Sequence, residues 1–164
     1  MPNFSDEQIR TRITHILNQT PQASTMYVKQ RLVCLGVTAK CLYLALLPFY
    51  EQRLIDDHRH IEQFVQIALQ KRQGFNLIAR LLAQSSFNHV QIAEALLVLS
   101  SKIDHRRQAY LCMKERFGKE KVIDPDLQSD MLLYLQKQGH RLTDIWDVMG
   151  MRRTRETLSD TNMR

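Results

Sequence analysis

Apolar residues recur along this chain with the spacing of amphipathic helices, and one arrangement of them occurs three times. Each copy has four apolar residues and one central small residue, separated by steps of four, four, six and four positions. The copies are Val28, Leu32, Gly36, Leu42 and Leu46; Ile78, Leu82, Ser86, Ile92 and Leu96; and Met131, Leu135, Gly139, Ile145 and Met149. Because a repeat of this length is one supersecondary unit that packs against its neighbours, the pattern predicts three stacked units.

Polar residues between these positions predict where helices begin and end. Capping residues that can accept hydrogen bonds from a helix's first turn are Ser5 with Gln8, Thr38, Asp56 or Asp57, Asn88 with Gln91, and Asp124 before Pro125. Glycines predicted to end helices or to let the backbone turn are Gly36, Gly74 and Gly139. These signals divide each unit into three helices.

The predicted fold is therefore all-α, with three tandem three-helix repeats that form an elongated, curved array. The repeats are expected at residues 5–52, 54–100 and 104–150. Residues 151–164 have little apolar content and are expected to be disordered. An array of this kind favours function on an extended surface over function in a single pocket.

Composition agrees with an ordinary globular chain of 164 residues, 44% of them hydrophobic. The longest apolar run, residues 41–50, contains a proline and is about half of the roughly 20 residues that span a bilayer. Without a basic and apolar leader at its start, the chain is expected to be soluble, cytoplasmic and monomeric, with no membrane partner. The three cysteines, Cys34, Cys41 and Cys112, are an odd number without close pairing. They are expected to be buried, reduced thiols.

Charge is distributed unevenly along the chain, whose formal net charge is +6. Residues 8–50 contain no Asp or Glu, and their basic residues are Arg10, Arg12, Lys29, Arg31 and Lys40. Residues 63–93 also lack acids and contain Lys71, Arg72 and Arg80. This segregation indicates an acidic partner, which is either nucleic acid or an acidic protein surface.

Several of these residues are candidates for contact with that partner. The binding candidates are Arg31, Lys71, Arg72, Phe75, Arg80, Arg106 and Arg107. Arg106 and Arg107 are predicted in the first turn of a helix, where the helix dipole disfavours positive charge, so helix stability does not explain them. The alternative for all the basic residues is a solvated surface. Gly74 then marks an ordinary turn instead of a close approach to a partner.

Three segments resemble the bacterial RecX regulatory proteins over residues 9–149. They are Leu54-Ile55-Asp56-Asp57, then Arg72-Gln73-Gly74-Phe75 followed by Ile78 and Leu82, and Leu135-Gln136-Lys137-Gln138-Gly139 with Ile145. The paired aspartate is the most specific of these elements. The chain departs from the family pattern at four places, where His60, Asn76, Ser86 and His140 replace an aromatic residue, two glycines and a phenylalanine. Such departures are typical of a divergent member.

The resemblance implies three tandem three-helix repeats and a protein that binds the filament of the RecA recombinase on single-stranded DNA. Family members lie along the filament groove and restrain strand exchange, ATP turnover and co-protease activity, which links them to DNA repair and the SOS response. Asp56, Asp57, Gly36, Gly74 and Gly139 would have structural roles. DNA itself, single- or double-stranded, is a further implied partner.

No pattern in the chain points to an enzyme, a cofactor or a metal. Residues 56–60 are of metal-ligating types, but on a helix His60 converges only with Asp56 or Asp57, and two ligands do not make a site. A helix start explains this segment better. Neither a glycine-rich phosphate loop nor the surroundings of an activated nucleophile occur.

A second hypothesis is a tandem helix-turn-helix protein that binds DNA on its own. Helix pairs joined at Gly36, Ser86 and Gly139 motivate it. Recognition helices, however, need polar, base-contacting side chains at their starts, whereas one of these helices starts at Ala39. Sequence-specific binding to duplex DNA without any filament would favour this hypothesis.

Overall fold

The computed structural model describes residues 4–150, and in this range α-helices are the only regular secondary structure. Its nine helices are α1 (Asp6–Gln19), α2 (Thr25–Val33), α3 (Ala39–Glu51), α4 (His58–Gln70), α5 (Phe75–Gln84), α6 (His89–Lys102), α7 (His105–Phe117), α8 (Pro125–Lys137) and α9 (Leu142–Met149). None of them is long and apolar enough to cross a membrane. The all-α prediction is confirmed, and the arrangement as three tandem repeats stays a prediction.

Most of the predicted helix starts have the expected capping bonds. Ser5 begins α1 with a complete capping box, because its Oγ accepts from the Gln8 amide at 3.3 Å and its own amide donates to Gln8 Oε1 at 3.0 Å. Asp124 caps α8, which has Pro125 in its first turn. Thr38 precedes α3 as predicted, but the prediction that it caps the helix is wrong, since its side chain makes no capping hydrogen bond.

The recurring apolar positions lie in the interior. Ten of the twelve apolar residues in the three copies are buried, and Leu96 and Met149 are half-buried. The small residue of each copy lies between the second and third helix of a set. At Gly36 and Gly139 the backbone has φ of +84° and +88°, a conformation that costs glycine little. The helical spacing therefore identified core positions correctly.

Packing divides the chain into two compact units. Among residues 4–150, unit 1 comprises residues 4–63 together with Leu82–Leu97, and unit 2 comprises Phe64–Leu81 together with residues 98–150. The core of unit 1 contains side chains from α1, α2 and α3, together with Ala23, Val37 and Ile55 from the connections. A core cluster of unit 2 contains Cys112, Leu135 and Ile145, from α7, α8 and α9.

Two helices, α3 and α4, are each followed by an arginine whose backbone is in the left-handed conformation. Arg53 and Arg72 have φ of +55° and +61°, and each follows a helix end at a position where glycine is usual. After α4, the Gln73 amide donates to the Ala68 carbonyl and the Arg72 amide to the Leu69 carbonyl, the pattern of a Schellman motif. Each arginine also pairs with a glutamate, Arg53 with Glu94 at 2.6 Å and Arg72 with Glu115 at 2.8 Å.

The cysteines depart from the expectation that all three are buried. Cys34, at the end of α2, is exposed, and Cys41 is half-buried. Helical periodicity misplaced Cys34 because the buried positions of α2 are Thr25, Val28 and Leu32, and Cys34 lies off that face. Cys112 is buried, and this burial raises the pKa of its thiol to about 11. The predicted disordered segment, residues 151–164, lies outside the described residues.

Candidate functional site

Asp57, the second residue of the paired aspartate, is fully buried in unit 1. Its Oδ1 accepts from the Thr25 amide at 2.7 Å, and its Oδ2 accepts from the Thr25 hydroxyl and from the Asn88 amide at 2.6 Å. Thr25 is the first residue of α2, and Asn88 immediately precedes α6. The carboxylate therefore satisfies amide groups at the positive ends of two helices, where a negative charge is favoured.

Asp56 and Gln91 complete this arrangement differently from the predicted capping box. Asn88 does cap α6, since its Oδ1 accepts from the Val90 amide at 3.0 Å. Gln91, expected to bond back to Asn88, instead accepts from the Asp57 amide at 2.6 Å and donates to Asp56 Oδ1 at 2.9 Å. The predicted box is wrong in this half, because the Asn88 amide is already bonded to Asp57.

Tyr50 connects α3 to the same buried network. Its hydroxyl lies 2.9 Å from the Thr25 hydroxyl and donates to the Ser86 carbonyl at 2.6 Å. Burial raises the pKa of Tyr50, so the phenol stays neutral and can donate. Unit 1 thus contains a network, here called the Asp57 network, in which Thr25, Tyr50, Asp57, Ser86 and Asn88 join α2, α3 and α6.

Gly74 and Gly139 are in direct contact in unit 2. The Gly74 amide donates to the Gln138 carbonyl at 2.7 Å, and the Asn76 amide donates to the Gly139 carbonyl at 3.0 Å. A Cβ atom on Gly74 would lie 2.4 Å from the carbonyl carbon of Gly139. The sequence left two roles open for Gly74, an ordinary turn or a close approach to a partner. Gly74 does allow a close approach, but the backbone that it contacts belongs to this chain and not to a partner.

His140, the residue after Gly139, is buried at the same junction. It is 4% exposed, and its Nε2 lies 2.9 Å from the carbonyl oxygen of Arg72. Burial lowers the pKa of His140, although the hydrogen bond to Arg72 and the nearby Asp144 act in the opposite direction. A neutral ring that donates to this carbonyl satisfies both groups.

Two of the predicted binding residues are occupied by contacts within unit 2. The Arg72 guanidinium is bonded to Glu115, and its side chain is 32% exposed. Phe75, the candidate exposed aromatic, is half-buried and packs edge-on against the His105 ring at a centroid distance of 5.9 Å. These residues support the fold, so they are weaker candidates for contact with a partner than the sequence suggested.

The other predicted basic residues are accessible. Lys71 and Arg80 are exposed and form no ion pair with another residue of 4–150. Arg31 is exposed on α2, where its Nη2 donates to the Tyr27 hydroxyl at 3.1 Å and its guanidinium lies 5.4 Å from the centre of the Tyr27 ring. A cation held against an aromatic ring in this way can still contact an anion.

The most concentrated basic surface lies on α7. Arg106, Tyr110 and Lys114 follow one another at intervals of four residues, and Arg107 lies three residues before Tyr110, so all four share one face of the helix. The arginines and Tyr110 are exposed, and Lys114 is half-buried. We call these four residues the α7 basic face. Of the acids near it, Asp104 caps α7 by accepting from the Arg107 amide at 2.9 Å, and Glu115 is paired with Arg72.

Sequence reasoning placed Arg106 and Arg107 here but missed Tyr110. The helical spacing was available as a signal, since Tyr110 lies one turn from each arginine. Its exposure, 41%, could not be inferred, because α7 lacks a clear apolar stripe and tyrosine is as often buried as exposed. Guanidinium and ammonium groups beside an exposed ring can bind phosphates or carboxylates and stack on a flat group.

Among residues 4–150, no three His, Cys, Asp or Glu side chains are placed to hold a metal ion together. A scan against models of known protein families finds no match for this chain, and a search of curated proteins finds none either.

Proposed function

We propose that this protein is a regulatory protein that binds the RecA filament on single-stranded DNA and restrains its recombinase, ATPase and co-protease activities. The observation that carries the proposal is the α7 basic face, an accessible cationic surface suited to an anionic partner. The resemblance to RecX proteins supplies the identity of the partner.

The residues by which the chain resembles RecX proteins bear on the architecture behind this proposal and not on the contact surface. Asp57 holds together the Asp57 network, and Gly74 and Gly139 meet at the backbone junction of unit 2. A sequence motif built from residues that fold the chain is expected to mark a shared architecture more than a shared contact. The contact surface can then differ between relatives while the helices stay in place.

The function is tested by measuring the DNA-dependent ATPase of RecA on single-stranded DNA while the purified protein is added. We expect ATP turnover to fall at substoichiometric amounts of the protein. Because the attraction is largely electrostatic, inhibition should weaken as salt increases. An unchanged ATPase at a stoichiometric amount would contradict the proposal.

The residues are tested with charge-reversal pairs. Arg106→Glu with Arg107→Glu should weaken filament binding, and Lys71→Glu with Arg80→Glu tests the exposed cations after α4 and on α5. Arg72 is left intact, since a carboxylate there would face Glu115 and replace an ion pair by a repulsion. Arg10→Glu with Arg12→Glu, exposed residues of α1, is the charge-matched control. If all three double variants bind the filament as tightly as the wild-type protein and keep its helical content, the contact surface lies elsewhere.

A further inference from the structure

An open groove lies along one side of α2 in unit 1. Its walls are formed by α2 and by the short segment before α6. The lining residues are Thr25, Met26, Lys29, Gln30, Val33, Cys34, Ser86 and Phe87. We call it the α2 groove; the function proposed above does not use it.

The α2 groove presents apolar side chains to solvent. Met26 and Val33 are 49% and 60% exposed, and a spacing of seven residues puts them on one face of α2. Opposite them, Phe87 is half-buried, and its ring stacks on His60 with 6.4 Å between centroids. The groove therefore has an aromatic wall that packs against a second ring, which suits an apolar side chain of a partner.

A single cation lies between these apolar residues. Lys29 is half-buried, and desolvation lowers the pKa of its ammonium group. The nearby carboxylate of Asp57 is already bonded to Thr25 and Asn88. Lys29 forms no ion pair with any residue in the part of the chain that the structure describes. A partly desolvated, unpaired ammonium group gains from a carboxylate brought by a partner.

From these features we propose that the α2 groove binds a short segment of a partner protein in which apolar side chains flank a carboxylate. The proposal rests on the function proposed above, and the recombinase is then the protein that carries the segment. Apolar walls around one lysine favour a peptide over a nucleic acid, which needs several spaced cations. The absence of acids from residues 8–50 adds to the attraction for an acidic segment.

Cys34 provides the measurement, since it lines the groove and is exposed, whereas Cys41 is half-buried and Cys112 is buried. Alkylation of each thiol by a maleimide is followed by mass spectrometry of the digested protein, with and without RecA filaments on single-stranded DNA. At a filament concentration about ten times the dissociation constant, we expect Cys34 to react about tenfold more slowly.

Two variants and a control connect the protection to the groove. Lys29→Glu should abolish protection by repelling the carboxylate, and Val33→Ser should weaken it by removing apolar contact. Lys40→Glu is the charge-matched control, because Lys40 is exposed and does not line the groove. Protection that persists in both Lys29→Glu and Val33→Ser would overturn the proposal.

The remaining outcomes separate this proposal from the proposed function. Inhibition of the ATPase without protection of Cys34 would overturn the groove proposal and leave the regulatory function standing. Protection without inhibition would support the groove and overturn the regulatory function. If single-stranded DNA alone protects Cys34, the occupant is a nucleic acid, and the peptide proposal is wrong.

Discussion

Asp57 is the buried carboxylate on which the starts of two helices depend. Its oxygens accept hydrogen bonds from the Thr25 amide, the Thr25 hydroxyl and the Asn88 amide. A hydrogen bond to a charged group contributes about 1.5–3 kcal/mol, and a buried donor without a partner costs about 1–3 kcal/mol. The contribution of this one side chain is therefore large compared with the 5–15 kcal/mol that stabilises a typical domain.

We predict that Asp57→Ala lowers the free energy of unfolding by about 3 kcal/mol or more, since three buried donors lose their acceptor. Urea unfolding followed by far-UV circular dichroism measures the change. Asp56→Ala is the matched control, because Asp56 is exposed and should cost less than about 1 kcal/mol. Similar urea midpoints for the two variants would contradict the role assigned to Asp57.

His140 should make the stability of the protein depend on pH. Burial lowers its pKa, so the folded protein prefers the neutral ring, while the unfolded chain binds a proton at its usual value of about 6.5. The stabilisation is fully present above that value and is lost as pH falls toward the lower, folded pKa.

The measurement is the unfolding temperature at several pH values between about 7 and 5. We expect the wild-type protein to lose more stability over this range than His140→Gln, whose amide can still donate to the Arg72 carbonyl but does not titrate. Parallel curves for the two proteins would mean that other groups cause the pH dependence.

At the scale of elements, the helices meet through their ends as well as their faces. The junction of unit 2 has backbone bonds from the start of α5 to the turn between α8 and α9. Beside it, the side-chain amide of Gln108 in α7 donates to the Leu69 carbonyl at 2.7 Å. Leu69 lies in the last turn of α4, so this bond satisfies a carbonyl at a helix end. Side chains and turns thus satisfy helix ends in place of water.

Two alanine substitutions test this junction, and a third, at Gly36, is the control. Gly74→Ala would place a methyl group against the backbone of Gly139, so we predict a loss of about 3 kcal/mol or more in the free energy of unfolding. Gly139→Ala should be similarly costly, because its Cβ would lie 2.3 Å from Leu77. Gly36→Ala is the control: its φ is also positive, but nothing lies within 4 Å, and we expect a cost of about 1 kcal/mol.

Prediction from the sequence succeeded where the cause is local. The buried positions Val28 and Leu32 of α2 follow from helical spacing, and the caps at Ser5 and Asp124 follow from residues close in sequence. The partners of Asp57 are 31 and 32 residues away, and no periodicity specifies such pairs.

The same limit applies to the candidate site. Glu115 forms an ion pair with Arg72 and is 43 residues distant in sequence. The sequence alone therefore could not show that the Arg72 guanidinium is already paired. Arg106 and Arg107 were found because their charge conflicts with the helix dipole, which is a local signal. The α2 groove was not found, since it needs the position of Phe87 beside α2.

At the scale of the whole molecule, one hydrogen-bond network connects two of the predicted repeats. The Asp57 network joins Thr25 and Tyr50, within the predicted repeat 5–52, to Asp57, Ser86 and Asn88, within the predicted repeat 54–100. A hydrogen-bond network shared in this way makes the first three helices depend on residues of the next segment.

A fragment of residues 1–52 should therefore fold poorly, because Thr25 and Tyr50 lose their buried partners. We predict weak helicity without a cooperative thermal transition for this fragment, measured by circular dichroism. A fragment of residues 1–102 contains every residue of unit 1 and should unfold cooperatively. Cooperative unfolding of both fragments at the same temperature would show that the first repeat is an independent folding unit.

The distances along the chain that Asp57 bridges also bear on how long the folded protein persists. Chain segments more than thirty residues apart come together only after loop closure, whose entropic cost is met before their contacts form. We therefore expect these contacts to be completed after the rate-limiting step of folding. Loss of the carboxylate would then speed unfolding and leave the folding rate almost unchanged, so Asp57 would set the lifetime of the native state.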